Sequence, residues 1–305
     1  MDRAKDRPPL TAALLAAQDA DGGWGAEPGK RSNTEATALA VLALAKTSDS
    51  AAASALRRGR DWLVGHQRPD GGWPLGVGQD QSTWPTPLAV LALLGPPETR
   101  EQAAGGLRWL VGHGGIDPGW LIRALYRLWP AALPVRMDPT LKGWSWNPEA
   151  FSWVEPTAYA LLALKKGRAV LSGPDVDARI REGESMLFDR VCEGGGWNYG
   201  NTNVYGVSVP PYPEVTAIAL IGLQDRRDTP AHRASSEAMR RMLAEVDSGF
   251  GLSWAIAYLA VHGRQTAAER GRLAASYART GFLGSTRTLA LALVASGAPE
   301  AVFGL

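Results

Sequence analysis

The sequence holds a single cysteine, Cys192, in 305 residues. That excludes an intramolecular disulfide and fits a reducing compartment. It has almost no excess of charge, 32 Lys and Arg against 30 Asp and Glu. No Lys/Arg run interleaves with aromatics, so a nucleic-acid partner is not expected. No uninterrupted apolar stretch approaches the roughly 18 residues of a membrane span. The opening MDRAKDRPPL is charged and broken by proline, so no signal peptide is expected. These features place the protein in the cytoplasm and leave peripheral contact with a membrane open. Phosphate-binding P-loops and G-x-S-x-G elbows are missing, and no His, Cys or acidic set has zinc spacing, so neither cofactor nor metal is expected.

Tryptophan and glycine are abundant, with 12 Trp and 35 Gly, and they recur in one phrase. AAQDADGGWGA (Ala16 to Ala26) and VGHQRPDGGWP (Val64 to Pro74) are near copies, and LKGWSWNPE (Leu141 to Glu149) and VCEGGGWNYGN (Val191 to Asn201) are looser ones. A second signal follows each: NTEATALAVLAL from Asn33, STWPTPLAVLALL from Ser82, WVEPTAYALLAL from Trp153 and YPEVTAIALIGL from Tyr212. These runs are apolar on every side at helical length, as wholly buried helices are. Weaker copies start near Trp120, Ser253 and Thr286. Between them, Ala55 to Gln67, Gln102 to Gly114, Asp177 to Val191 and His232 to Val246 keep one apolar stripe opposite arginines, the pattern of surface helices.

The repeating unit is therefore an amphipathic helix, a Gly-rich turn and a buried helix, in about six or seven pairs, with no convincing strand pattern. A closed ring and a linear solenoid both satisfy this periodicity. The phrases QDADGGW and HQRPDGGW, each followed by a buried Thr-Ala-rich helix, resemble the Gln-Trp repeats of squalene–hopene-type terpene cyclases and of protein prenyltransferase β-subunits. The resemblance runs from about Leu10 to Leu291. It implies an all-α fold, a single α/α toroid over residues 1–305, with an apolar cavity suited to an isoprenoid. It also implies that Gln67 and Trp73 tie an outer helix to the next turn, making Trp24, Trp73 and Trp197 structural.

Class II terpene cyclases protonate alkenes with an Asp-x-Asp-Asp motif before an inner-helix Thr-Ala. At the matching central position this chain keeps one carboxylate in three repeats, Glu35, Glu155 and Glu214, and Trp84 stands there in a fourth. The flanking acids are absent. A lone Glu in a first helical turn has its anion stabilised by the backbone, so a helix-start role competes with a catalytic one. Glu155 is the favoured acid, because Trp144, Trp146, Phe151 and Trp153 surround it in sequence and can desolvate it or stabilise a cation. The prenyltransferase zinc site has no counterpart, since Glu214 and Thr216 occupy the positions for its Asp and Cys. His66 and His113 are repeat features of WLVGH, and His232 and His262 stand alone. The Asp175–Asp177 pair opens an amphipathic helix and is expected to serve as a cap, not a metal site. No Asp-Asp-x-x-Asp for magnesium and diphosphate is present.

Two turns, Lys142 to Pro156 and Gly194 to Glu214, are richer in aromatics than a connection requires. Trp144, Trp146, Trp153, Tyr199, Tyr205 and Tyr212, with Trp84, are the expected substrate-binding residues. The other reading of these turns is mutual packing. Three functions follow from these features: acid-initiated cyclisation of an isoprenoid or other apolar substrate, non-catalytic binding of a lipid-like ligand or partner peptide, and saccharide handling, since Trp with Glu also serves sugars.

Overall fold

The computed structural model describes residues 9–47, 50–116, 118–128 and 137–305. Along the chain run α1 (Leu10–Ala16), α2 (Thr34–Leu44), α3 (Ser50–Gly65), α4 (Thr86–Leu93), α5 (Arg100–Gly112), α6 (Trp120–Leu128), α7 (Val154–Lys166) and α8 (Pro174–Asp189). A hairpin follows, β1 (Asn203–Val204) and β2 (Val207–Ser208). Then come α9 (Pro213–Gly222), α10 (Pro230–Met242), α11 (Gly249–Val261), α12 (Ala267–Thr280), α13 (Thr286–Ser296) and α14 (Pro299–Phe303). The sequence pattern missed the hairpin because each strand has two residues. Its turn chemistry makes it, with Tyr205 at φ +51° and Gly206 at φ +83°.

The chain divides into two compact units. In the first, Met1–Gly106 with Val246–Gly304, four buried helices pack in the order α4, α2, α13, α11, and α3, α12 and α1 lie against α2, α11 and α13. In the second, Leu107–Glu245, the buried helices α7 and α9 pack on each other, with α8 against α7 and α10 against α9. Thus α2, α4, α7, α9, α11 and α13 are the all-round apolar runs of the sequence.

One clamp recurs through these pairs. The backbone N–H of Trp24, Trp73, Trp144 and Trp197 donates at 2.9 Å to the hydroxyl of Thr37, Thr86, Thr157 and Thr216, in the first turns of α2, α4, α7 and α9. Each indole then donates from Nε1 to a leucine carbonyl on the helix before it: Leu14, Leu63, Leu110 and Leu187, at 2.8, 2.7, 3.1 and 2.7 Å. A buried ring with its only polar atom satisfied is a strong filler of a helix–helix seam. The seams leave no room beside it: a Cβ at Gly59, Gly106 or Gly183 would lie 2.7, 2.8 and 2.8 Å from Cζ3 of Trp24, Trp73 and Trp144.

The glutamine closes the turn. The Gln67 amide donates to the Gly71 carbonyl at 2.8 Å and to the Gln102 carbonyl of α5 at 2.9 Å. Gln18 does the same with Gly22 and Ala55. The amide therefore ties the end of one outer helix, through its own turn, to the outer helix that follows. Gly71 must be glycine twice over: its φ is +90°, and a Cβ would sit 2.6 Å from the Gly105 carbonyl oxygen.

The clamp also corrects the reading of Trp120 as the start of a buried helix. Indole and leucine are 10 residues apart at Trp24, Trp73 and Trp197, but 34 apart at Trp144, whose partner Leu110 lies on α5. So α5 pairs with α7, and α6 is an insertion within that turn. No residue of α6 is buried. Its apolar arc resembles a core stripe in sequence, but arginines at positions 123 and 127 prevent all-round burial.

Replacing Trp73 with alanine leaves a large cavity and removes the indole donor from the Leu63 carbonyl, while the backbone bond to Thr86 can persist, so it should cost about 3–5 kcal/mol. Denaturant unfolding of the Trp73→Ala protein measures this. A loss below about 1 kcal/mol would contradict the seam role.

Candidate functional site

Because the same threonine accepts the same tryptophan N–H in each copy, Glu35, Trp84, Glu155 and Glu214 are geometrically equivalent, each two residues before that threonine. Their surroundings differ. In the first unit, Glu35 accepts from Arg287 of α13 at 2.9 Å, and that guanidinium lies 4.7 Å above the Phe250 ring. Trp84, also in this unit, is half-buried just before α4.

In the second unit, Glu155 lies in the first turn of α7 and is only 6% exposed. The buried Tyr159, one turn on, donates its phenol to Glu155 Oε1 at 3.2 Å. Glu214 occupies the first turn of α9, the helix packed on α7. Tyr199 donates to Glu214 Oε1 at 3.5 Å and stands 5.5 Å, ring to ring, from Tyr212. The Tyr199 carbonyl accepts the Val154 N–H at 3.0 Å, which fixes the tyrosine loop to the start of α7. Burial, then the charges of Glu214 and Glu155, push the Tyr199 phenol above its ordinary pKa. Both carboxylates therefore act on one hydroxyl.

The expected aromatic residues part company here. Trp144 takes the seam position, 3% exposed, with the Arg179 guanidinium stacked 3.7 Å from its ring. Trp146 is half-buried in the turn, and Tyr205 stands 83% exposed at the hairpin tip. Trp153 and Tyr212 are the capping residues of α7 and α9. In α2, α11 and α13 that place is held by Asn33, Ser248 and Ser285, whose side chains accept a backbone N–H. An aromatic there forgoes a cap worth about 1 kcal/mol, partly offset by the glutamate of the first turn. The two uncapped starts stand next to two carboxylates, whereas α4, preceded by Pro85 and likewise without a side-chain cap, has none there.

Tyr159 is the member that the sequence reading missed. Its signal was present as Glu-x-x-x-Tyr in EPTAY, a spacing that puts both side chains on one helix face. Among the described residues, no group of three or more His, Cys, Asp or Glu is arranged to hold a metal ion. Cys192 is buried in its turn, and burial pushes its thiol pKa up. Each carboxylate thus carries a phenol, Glu155 with Tyr159 and Glu214 with Tyr199, and both charges reach the Tyr199 hydroxyl.

No family profile matches the sequence, and no curated protein matches it either. Solved structures do. An alpha-amylase from Clostridium perfringens overlays with a TM-score of 0.63 at 10% identity, covering 96% of this chain and 97% of its own. An inactive alpha-1,6-mannanase variant from Salegentibacter, in complex with alpha-1,6-mannotriose, gives 0.60 at 10% identity over 99% of this chain and 100% of its own. A type II terpene cyclase from Scytonema matches at 19% identity over 82% of this chain and 80% of its own, but with a TM-score of 0.40, too loose to carry weight. At these identities the likeness establishes the fold, an all-α architecture of the α/α toroid class.

The Tyr199 phenol reports on the cluster. Its proton is held more firmly in the folded protein, so this contribution to stability is complete below about pH 10 and fades as pH rises through the elevated value. Removing the Glu214 charge should lower that pKa. Ultraviolet titration of Glu214→Gln, with Tyr199→Phe to assign the signal, tests this. An unchanged phenol would place Glu214 too far away to matter.

Proposed function

We propose that this chain is an acid–base enzyme acting on an apolar, isoprenoid-like substrate at the Glu155–Glu214 cluster, with Glu155 as the acid. The observation carrying this reading is the buried Glu155 carboxyl, hydrogen-bonded to Tyr159, with a second carboxylate at the start of the adjacent helix. Glu35 is not chosen, because Arg287 holds it as an ion pair. The Gln-Trp repeats of the sequence supply the substrate class.

In this reading the Glu155 proton passes to an alkene carbon. A C–H bond forms, the π bond breaks, and the faces of Trp153, Tyr199 and Tyr212 stabilise the carbocation. After rearrangement or ring closure, Glu214 accepts a proton from the carbon next to the cation, and a new double bond forms. Return of that proton to Glu155 closes the cycle without a cofactor.

A saccharide substrate is the second reading. It is favoured by the Tyr199 and Tyr212 rings, 40% and 41% exposed beside two carboxylates, and by the overlays on an amylase and a mannanase. Aromatic faces with paired acids also serve glycoside cleavage.

The purified protein should be incubated in parallel with squalene, shorter prenyl substrates, and α-glucan and mannan oligosaccharides, beside a Glu155→Gln variant. The expected result is a cyclised or isomerised hydrocarbon whose formation falls about 10²–10⁴-fold in the variant. Sugar turnover that depends on Glu155 would replace the substrate class and keep the site. A co-purified lipid with no turnover in either protein would leave a non-catalytic lipid-binding toroid.

A further inference from the structure

The fourth turn departs from the other three in its length and in the residue that follows its tryptophan. The sequence separation between the seam tryptophan and its threonine is 13 residues in three copies and 19 in the fourth. The hairpin of β1 and β2 lies within that longer stretch. Directly after the tryptophan stand Gly25, Pro74 and Ser145 in the first three copies, and Asn198 in the fourth. One residue further on, a backbone bond is shared between copies. The carbonyls of Ala26, Leu75 and Tyr199 accept the N–H of Thr286, Thr34 and Val154 at 2.9, 2.9 and 3.0 Å, at the starts of α13, α2 and α7. Ala26 and Leu75 carry no polar side chain, so the Tyr199 phenol is an addition to the shared pattern.

Asn198 is 3% exposed although it lies in a loop. Its amide is engaged on both sides by that loop. Oδ1 accepts the Gly200 N–H at 2.9 Å, which closes a tight turn around Tyr199. Nδ2 donates to the Asn201 carbonyl at 2.9 Å and to the Val209 carbonyl at 3.4 Å. Those two residues flank the hairpin, and the Val209 N–H in turn donates to the Thr202 carbonyl at 2.9 Å. One buried amide therefore gathers both ends of the extension beside Tyr199. Gly200 is also pressed on Trp153, since a Cβ there would lie 3.4 Å from Cε3 of the indole.

We propose that Asn198 is a positioning residue, whose side chain fixes the turn at Tyr199 and Gly200 and thereby holds the Tyr199 phenol at Glu214. The Val154 bond fixes only the Tyr199 carbonyl. The direction of the ring follows from the backbone dihedrals of the turn, which select the rotamers open to it. With the chain turned by Asn198, the phenol donates to Glu214 Oε1 at 3.5 Å and the ring stands 5.5 Å from Tyr212. The raised pKa of the phenol, from burial and then from both glutamates, reports the same placement. The consequence for catalysis rests on the acid–base reading of this site, and the placement of the phenol does not.

Two variants test the proposal. Asn198→Ala removes all three side-chain bonds, and Asn198→Ser keeps an oxygen for the Gly200 N–H but loses the amide donors. Ultraviolet titration of each, beside the same variant carrying Tyr199→Phe, isolates the phenol. The expected result is a Tyr199 pKa that falls from its raised value toward about 10, further in the alanine variant than in the serine one. Circular dichroism should match the parent, because the Val154 bond and the Trp197 clamp persist. If the alanine variant does not fold, the serine variant decides. A lower melting temperature with an unmoved phenol would overturn the proposal and leave Asn198 a purely structural residue. Where turnover depends on Glu155, the alkaline limb of its pH profile should move down with the phenol, and a limb that stays in place would overturn the part played in the reaction. A complete lack of turnover would count against the acid–base reading, and the phenol titration would then decide the placement by itself.

Discussion

The structure depends on one arrangement, a tryptophan held at both of its N–H groups. The backbone end is fixed by a threonine in the first turn of a buried helix, and the indole end by a leucine carbonyl on the outer helix before it. Each end on its own is an ordinary hydrogen bond of about 1 kcal/mol net. Together they set the separation and rotation of two helices through a rigid ring, and the ring excludes water from the seam. The glycines facing Trp24, Trp73 and Trp144 follow from the same constraint, because a helix can approach an indole face that closely only without a side chain. In the fourth copy the corresponding seam holds Ser235, wholly buried, whose hydroxyl accepts the Gly196 N–H at 2.9 Å. There a hydrogen bond to the turn accompanies the side chain that the other copies exclude.

This clamp fixes the position two residues before each threonine, at the start of a buried helix. A carboxylate there is stabilised by the free N–H groups of the first turn whether or not it has a function. Repetition alone could not tell a helix-start residue from an acid. The surroundings differ: Glu35 pairs with the Arg287 guanidinium, while Glu155 is buried and accepts from the Tyr159 phenol among its contacts.

Much of the fold was legible in the sequence, and for a physical reason. Wholly buried helices must be apolar all round, and α2, α4, α7 and α9 read that way from composition. The turn glycines and glutamines were legible because few residues can take φ near +90° or bond two carbonyls at once. What escaped depended on register and partners. The apolar arc of α6 looks the same in sequence whether it faces a core or the outside, and only the spacing of Leu110 and Trp144 reveals an insertion. Trp144 and Trp153 are nine residues apart in one turn, yet one fills a seam and the other begins a helix. Nothing in their sequence neighbourhood separates the two roles. Arg287, which pairs with Glu35, lies 252 residues away along the chain.

In a repeat architecture, the features shared by all copies serve the shared task of holding helices together, so chemistry has to sit where copies diverge. Three divergences fall within the second unit: aromatic residues at the caps of α7 and α9, a tyrosine one turn after Glu155, and an insertion between α5 and α7. Each departs from what stability alone would select, by forgoing a cap, burying a carboxylate or exposing leucines to water. Costs of this kind persist when something other than folding maintains them. The insertion base and the Trp153 turn are joined directly, through Ile116 and Ala150.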